Sequence, residues 1–245
     1  MGTVTSAPAK RVERAFLRVA GPDARDYLQR MVSNDVDALG VGDACDALLL
    51  TAKARLIAPV RVLRRGGDNF LVSTEPELGD AVRTHLVRMR LRAQCEIEPE
   101  EHEAWATLGG DEIIDAQPHG EIVDEETFER LRVERGIPRW GRELDETILP
   151  AEAGLDATHI SFTKGCYPGQ EPIARQHYRG KVNRRLRVFD VQGAASPGDE
   201  IVHGEKVVGR ITSAVDGVAL GYLRTEVDDD VELTVASRRA KVRPA

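Results

Sequence analysis

Apolar residues in the first half of the chain recur with two different periods, which predict short strands separated by amphipathic helices. Residues 15–20 form a largely apolar run that is typical of a strand. In the next segment, 22–32, apolar side chains recur three and four positions apart and fall on one face of a helix: Ala24, Tyr27, Leu28 and Met31. The sequence therefore predicts a strand followed by a helix that packs through one apolar side.

The pattern continues to about residue 136 and indicates an α+β fold. Further strands are predicted at 44–50, 56–63, 70–73, 95–99, 104–108 and 121–123, with a hairpin turn at 66–69. Further helices are predicted at 77–91 and from Asp124 to about Gly136, where the aspartate suits the helix start and the glycine its end. This alternation of strands and helices is ferredoxin-like.

The last quarter of the chain has strand-like runs only. They lie at 186–191, 200–203, 207–213, 217–223 and 231–235, between turns rich in Gly, Pro and Asp. This pattern predicts a small antiparallel β-barrel or sandwich. We therefore predict two domains, 1–180 and 181–245, with the boundary near Gly180.

Composition narrows the class of protein. With 245 residues and 41% hydrophobic content, the chain can bury a large core. No apolar stretch reaches the length of a bilayer, and residues 1–10 lack the apolar centre of a secretory signal, so we expect a soluble, cytoplasmic protein with a frayed N-terminus. A net charge of −7 disfavours indiscriminate binding to nucleic acid.

The three cysteines, Cys45, Cys95 and Cys166, are far apart and odd in number. This argues against a disulfide scaffold, a dithiol motif or a self-contained metal site. Cys45 and Cys95 fall in strand-like runs and are predicted to be core residues.

Cys166 lies in the run KGCYPGQE at 164–171, between Lys164 and a predicted helix that begins near Gly169. A cation and the N-terminal end of a helix both stabilise a thiolate, so this context predicts a reactive cysteine. The alternative is that Cys166 is an ordinary small residue buried in a Gly/Pro turn.

Residues 172–189 carry six basic side chains and no acidic one: Arg175, Arg179, Lys181, Arg184, Arg185 and Arg187. One interpretation is a solvated connection that is salt-bridged to acidic loops. The other is recognition of an anion, for which the planar fork of arginine suits a carboxylate or a phosphate.

The KGCYPGQE run resembles the signature of the YgfZ-type folate-binding proteins, which are relatives of the T protein (aminomethyltransferase) of the glycine cleavage system. The resemblance also includes segments 21–36, 132–152 and 208–213, and so covers nearly the whole chain. It implies a folate-binding trefoil of ferredoxin-like α/β subdomains around a central hole, followed by a small C-terminal antiparallel β-barrel.

The resemblance further implies that the protein binds tetrahydrofolate or a derivative. Phe128 is the expected ring-stacking aromatic, although it also falls in a Phe/Leu stripe typical of packing. Glu134 is the expected partner of the pterin edge, and its alternative is a surface pair with Arg130 or Arg135. The folate tail would use Arg175 or Arg179.

The function implied is assistance to iron–sulfur cluster assembly or repair, with assembly proteins or cluster-containing client enzymes as partners. Cys166 would act as nucleophile or transient ligand and Lys164 as its electrostatic activator. Segment 52–60 contains no acid where the aminomethyltransferases carry a catalytic aspartate, which counts against aminomethyl transfer. The alternatives left open are a folate-dependent one-carbon transferase or demethylase and a non-enzymatic RNA-binding or scaffold module.

Overall fold

The computed structural model describes residues 7–244. The elements of the N-terminal part are β1 Ala9–Val12, β2 Ala15–Ala20, α1 Ala24–Met31, β3 Ala44–Leu50, β4 Leu56–Gly66, β5 Asn69–Thr74, α2 Gly79–Met89, β6 Glu96–Glu100, β7 Ala104–Thr107, β8 Glu112–Ile114, α3 Glu125–Glu134 and α4 Gln170–Arg179. The C-terminal part contains β9 Arg184–Val191, β10 Glu200–His203, β11 Lys206–Val215, β12 Val218–Arg224, β13 Leu233–Val235 and β14 Arg238–Val242. None of the helices in residues 7–244 has the length and apolar character needed to cross a membrane.

A five-stranded antiparallel sheet in the order β3-β4-β5-β2-β6 is the largest unit of the N-terminal part. The apolar side chains of α1 and α2 share one core with this sheet, and Leu28, Phe70 and Leu86 are fully buried in it. Tyr27 links the two helices, since its hydroxyl donates a hydrogen bond to the backbone oxygen of Leu86 at 2.6 Å. The predicted α+β fold and the apolar face of α1 are confirmed, and the sheet is the ferredoxin-like arrangement with one extra strand.

A second, three-stranded sheet has the order β1-β7-β8. Its two edge strands, β1 and β8, were not predicted from the sequence. The predicted strand at 121–123 is wrong, because residue 122 makes only an isolated bridge to Ala9, and the third strand is Glu112–Ile114 instead. Residues 1–6 lie outside the described part of the chain. Ala9 is completely buried and pairs with Thr107, so the segment just after them is not frayed. A four-residue strand is too short to show a period, and its burial depends on a partner nearly a hundred positions away.

The C-terminal part is a closed six-stranded antiparallel barrel in the order β10-β11-β12-β9-β14-β13. Five of its strands follow the sequence prediction, and β14 was missed because three of its five residues are basic. Only Ala240 and Val242 of β14 point into the barrel core. The α3 helix packs on the barrel through Val133, which contacts Val218 and Leu220 in a small apolar cluster. The predicted barrel is thereby confirmed.

Candidate functional site

A cavity of about 700 Å³ lies between the two sheets, the α3 helix and the loop that follows it. Its lining mixes aromatic and charged side chains, among them Lys10, Arg61, Phe128, Glu129, Arg139 and Trp140. Pockets of this size with a few placed polar groups are typical of sites for small organic ligands. The cavity is therefore the first candidate site.

Ion pairs join neighbouring strands along the cavity wall. Arg61 of β4 donates to the carboxylates of Asp46 on β3 and Asp111, at 2.9 and 3.1 Å. Arg14 pairs in the same way with Glu75 and with Glu112 of β8. Segment 52–60 itself contributes no acid, so the carboxylates at this wall come from adjacent strands and loops and are held by arginines.

Four residues of α3 line the cavity: Glu125, Phe128, Glu129 and Arg132. Glu129 receives two hydrogen bonds from the fork of Arg132, at 2.8 and 2.6 Å. These bonds lower the pKa of Glu129 despite its partial burial, so the carboxylate stays ionised. Lys10 lies over the Phe128 ring at 6.0 Å from the centroid.

Glu134 does not belong to this lining. Its carboxylate accepts a hydrogen bond from Nε of Arg130 one helical turn earlier, at 3.2 Å. This contact with Arg130 is the surface pair that the sequence offered as the alternative to pterin binding. Its predicted role toward a pterin stays a prediction, and the α3 glutamates that line the cavity are Glu125 and Glu129.

A buried network ties this wall of the cavity to the barrel. Arg132, only 3% exposed, donates to Glu143 at 2.9 Å and to the hydroxyl of Ser213 on β11 at 2.8 Å. Ser213 in turn donates to Glu143 at 2.6 Å, and the Tyr222 hydroxyl of β12 donates to the backbone oxygen of Glu143. Burial opposes the charge of Arg132, but its bonds to the two glutamates raise its pKa. The position of Glu129 therefore depends on the barrel.

The segment that carries Cys166 packs against the large sheet, because Tyr167 shares an apolar core with Leu48 and Leu50 of β3. Cys166 is exposed, in contrast to the half-buried Cys45 and the buried Cys95. Burial raises the pKa of Cys45 to about 11 and also raises that of Cys95, so neither thiol is ionised near neutral pH. Among residues 7–244 no cluster of His, Cys, Asp and Glu side chains could hold a metal ion by itself.

Lys164 holds this segment in place. Its ammonium donates to the backbone oxygens of Gln29, Val32 and Asn34, at the end of α1 and in the turn beyond it. Burial is the main cause that lowers the pKa of Lys164, to about 8. The charge therefore serves the end of α1, where helix carbonyls lack partners, and its predicted role as activator of Cys166 stays a prediction.

Gly169 adds a second constraint. It starts α4 with a φ of +83°, and a side chain there would come within 2.7 Å of the backbone oxygen of Thr51 and 3.1 Å of Cα of Ala54. The motif therefore packs directly on the turn between β3 and β4. On the other side of Cys166, a Cβ added to Gly165 would meet no atom within 4 Å, so the thiol projects from an open side of the loop.

The residues predicted to bind a folate do not all lie at the cavity. Arg175 is exposed on α4, pairs with Glu171 at 3.0 Å and does not line the cavity. Phe128 does line it. Its neighbour Glu129 was missed in the sequence, although its spacing of three from Arg132 on one helix face was the available indication. No residue of 164–171 lines the cavity, so within the described chain the thiol and the cavity are two distinct features.

Comparison with known proteins agrees with this fold. Residues 183–245 match the family described as CAF17, C-terminal beta-barrel domain. The crystal structure of glycine cleavage system aminomethyltransferase T from Bartonella henselae superposes with a TM-score of 0.83 at 15% identity, covering 98% of this chain and 85% of that one. The chain thus has the aminomethyltransferase fold with a C-terminal barrel.

Proteins similar in sequence narrow the class of protein that the chain resembles. The iron–sulfur cluster assembly factor IBA57, mitochondrial, of Homo sapiens is 26% identical, over 87% of this chain and 76% of that protein. The mouse protein of the same name is 25% identical with the same coverage. An uncharacterized protein of Haemophilus influenzae is 26% identical, over 89% of this chain and 87% of its own. The resemblance is confirmed: the chain is similar over most of its length to proteins of the IBA57 type, and it has the fold of the aminomethyltransferases.

Proposed function

We propose that the protein binds tetrahydrofolate in the central cavity and assists the assembly or repair of iron–sulfur clusters in client enzymes through Cys166. The observation that carries the proposal is the exposed thiol on a loop held by Lys164 and Gly169, in a chain similar to proteins named as iron–sulfur cluster assembly factors. The partners would be assembly proteins or the clients themselves. The cytoplasmic location stays a prediction, since the named relatives are mitochondrial.

The cavity fits a folate in its chemistry. A pterin is flat and has a 2-aminopyrimidinone edge that donates two parallel hydrogen bonds, and Phe128, Trp140 and the ionised Glu129 lie in the lining. The arginines of the wall suit the carboxylates of a glutamate tail. When bound, tetrahydrofolate would supply a carrier for one-carbon groups. The residues of this chain would bind it, orient it and shield it from water.

Cys166 alone cannot hold a cluster, because clusters usually take about four cysteine ligands. We assign it one ligand position toward an iron atom of a transferred cluster, with the other ligands from the partner. The thiol loses its proton to solvent as its sulfur replaces a thiolate of the donor protein at that iron, and the displaced thiolate leaves with the donor. When the cluster moves on, a thiolate of the client replaces Cys166 at that iron, and no electron is exchanged.

Calorimetry with tetrahydrofolate tests the first half of the proposal. We expect micromolar binding, near −8 kcal/mol, that weakens at least tenfold in Phe128→Ala and in Glu129→Gln. Glu134→Gln is the matched control on the same helix and should leave the affinity within a factor of two. Loss of affinity in Glu134→Gln alone would restore the sequence-based assignment, and no binding heat at several temperatures would refute folate as the ligand.

Replacement of the thiol tests the second half. Cys166→Ser should abolish the support of a cluster-dependent enzyme in cells and leave the free energy of unfolding and tetrahydrofolate affinity unchanged. Cys45→Ala is the control for a thiol away from the surface. Full support by Cys166→Ser would refute the assigned role, and unfolding of that variant would show that the cysteine is structural.

The alternative, a folate-dependent one-carbon transferase, keeps one observation in its favour. Asp46 and Asp111 border the cavity beside segment 52–60, although both are paired with Arg61. Formation of methylenetetrahydrofolate from an aminomethyl donor, with release of ammonia, would favour this activity over cluster assembly if it were lost in Asp46→Asn.

A further inference from the structure

The basic segment that follows Cys166 divides into paired and unpaired cations. Three of its arginines have acidic partners: Arg175 with Glu171, Arg184 with Glu152 and Arg187 with Asp229. Arg179, Lys181 and Arg185 are exposed and make no ion pair with any residue of 7–244. The interpretation as a salt-bridged connection therefore accounts for half of the segment and leaves these three cations without a structural role.

Aromatic side chains adjoin the unpaired cations at the end of α4. Tyr178 is 69% exposed, and His177 is also exposed. Phe162 stacks on His177 at 3.8 Å between ring centroids and meets Tyr178 edge to face at 6.3 Å. Phe162 precedes Lys164 by two positions, so this cluster shares its base with the loop of Cys166. Exposed tyrosine among arginines is the composition of protein interfaces rather than of ordinary surface.

The cations continue from α4 onto the barrel. Residues 180–183 are fastened to the end of β12, because Thr225 donates through its hydroxyl to Val182 and through its backbone N–H to Asn183. Arg185 then enters a small notch of about 190 Å³, which Arg187, Arg224 and the acidic residues Asp228 and Asp229 also line. Arg185 is the arginine of this notch that no acid neutralises within the described chain.

We propose that Tyr178, Arg179, Lys181 and Arg185, here called the α4 face, form the docking surface for an acidic segment of a partner protein. This inference rests on the proposed function, because it identifies the chemistry of the partner that Cys166 serves. Separate carboxylates of a peptide would pair with the three cations, one at each. The overall charge of −7 makes such a local positive face selective, since the rest of the surface repels an acidic partner.

Charge placement favours a peptide over a nucleic acid. A continuous phosphate backbone that followed the cations into the notch would meet the carboxylates of Asp228 and Asp229. A peptide can present a single carboxylate at Arg185 and an apolar side chain at Tyr178. No residue of the α4 face lines the cavity between the two sheets. A ligand bound in that cavity is therefore not the expected occupant of the α4 face.

The test uses fluorescence anisotropy with a labelled octaglutamate peptide on the full chain at low and moderate salt. We expect the triple variant Arg179→Glu/Lys181→Glu/Arg185→Glu to lose at least tenfold in affinity. The matched control Arg88→Glu/Arg92→Glu/Arg239→Glu makes the same change of charge at exposed residues elsewhere and should stay within a factor of two to three. Equal loss in both triple variants would overturn the proposal, because it would show a response to net charge alone.

Two competitors identify other occupants. An octauridylate that binds as tightly as the peptide would assign the face to nucleic acid and overturn the proposal. Saturating tetrahydrofolate that displaces the peptide would assign it to a folate tail, with the same consequence. None of these measurements uses Cys166 or a cluster, so absence of peptide binding refutes the docking surface and leaves the proposed function standing. Full client support by Cys166→Ser together with normal peptide binding would refute the role of Cys166 and leave the docking surface standing.

Discussion

The ammonium of Lys164 donates a hydrogen bond to the backbone oxygen of Val32 at 2.6 Å, across 132 positions of sequence. Val32 ends α1, and Ser33 after it is tied to the same distant segment through the backbone oxygen of His159. Two of the stretches that carry the family resemblance, 33–36 and 164–171, are therefore in contact. The lysine of the signature binds the end of the first helix.

Replacing Lys164 should destabilise the protein more than an ordinary lysine. In Lys164→Met three backbone oxygens lose their donor in a buried place, and we expect the free energy of unfolding to fall by about 2–4 kcal/mol. Urea unfolding measures this change. Lys181→Met, an exposed lysine nearby, is the control and should change stability by less than about 0.5 kcal/mol. Equal effects in the two variants would contradict a stabilising role of Lys164 at the end of α1.

Replacement by alanine should destabilise the protein at Gly169 and should be tolerated at Gly165. Gly169→Ala meets the Thr51 oxygen at 2.7 Å in a left-handed conformation, and we expect a loss of about 1–3 kcal/mol together with faster proteolysis of the loop. Gly165→Ala has open space and should be tolerated. Thermal unfolding and limited proteolysis compare the two. A destabilised Gly165→Ala with a normal Gly169→Ala would contradict the packing of the motif on the turn between β3 and β4.

Breaking the buried network should affect the cavity and the barrel together. Arg132→Met leaves Glu143, only 1% exposed, without its cation, and we expect a loss of about 3–5 kcal/mol and weaker ligand binding at Glu129. Arg130→Met removes an exposed pair on the same helix and should cost less than about 1 kcal/mol. Urea unfolding gives both values, and a stable Arg132→Met variant would show that the network does not join the two parts.

Acid should weaken the end of β6 through Glu100. Hydrogen bonds from Arg65 and then His102, against the effect of burial, lower the pKa of Glu100 to about 2. A carboxyl with a lowered folded-state pKa stabilises the fold above its unfolded value and loses that contribution as pH falls toward 2. The wild type should therefore lose more stability than Glu100→Gln between pH 4.5 and 3.

His102 acts at the other end of the pH range. Burial opposes its charge, but hydrogen bonds to Glu100 and Asp115 raise its pKa, so its contribution is present in acid and is lost as pH rises through that raised value. Glu98→Gln changes an exposed residue on the same strand and is the control for Glu100→Gln. Its free energy of unfolding should change with pH as that of the wild type does. Urea unfolding across pH 3–9 tests both effects, and parallel curves for wild type and Glu100→Gln would contradict the first.

Local pattern was sufficient where a segment has a clear period. The apolar face of α1 could be predicted because burial of one face imposes a spacing of three and four on the residues themselves. The limits of β2 and β3 could be predicted because each is a short apolar run. The helix that begins after Gly169 was predicted instead from Pro172 in its first turn. Segments such as β1 and β14 are too short or too basic for a period, and distant partners decide their pairing.

The site depended on tertiary structure to a greater extent. The sequence by itself determined the family resemblance, the α+β fold and the prominence of Cys166, because these follow from a long contiguous motif and from periodicity. Only the folded chain placed Glu129 rather than Glu134 toward the cavity, engaged Lys164 with the end of α1 and left Arg179, Lys181 and Arg185 unpaired. The physical reason is that direction and partnership of a charged side chain depend on residues far away in sequence, whose approach no local pattern contains.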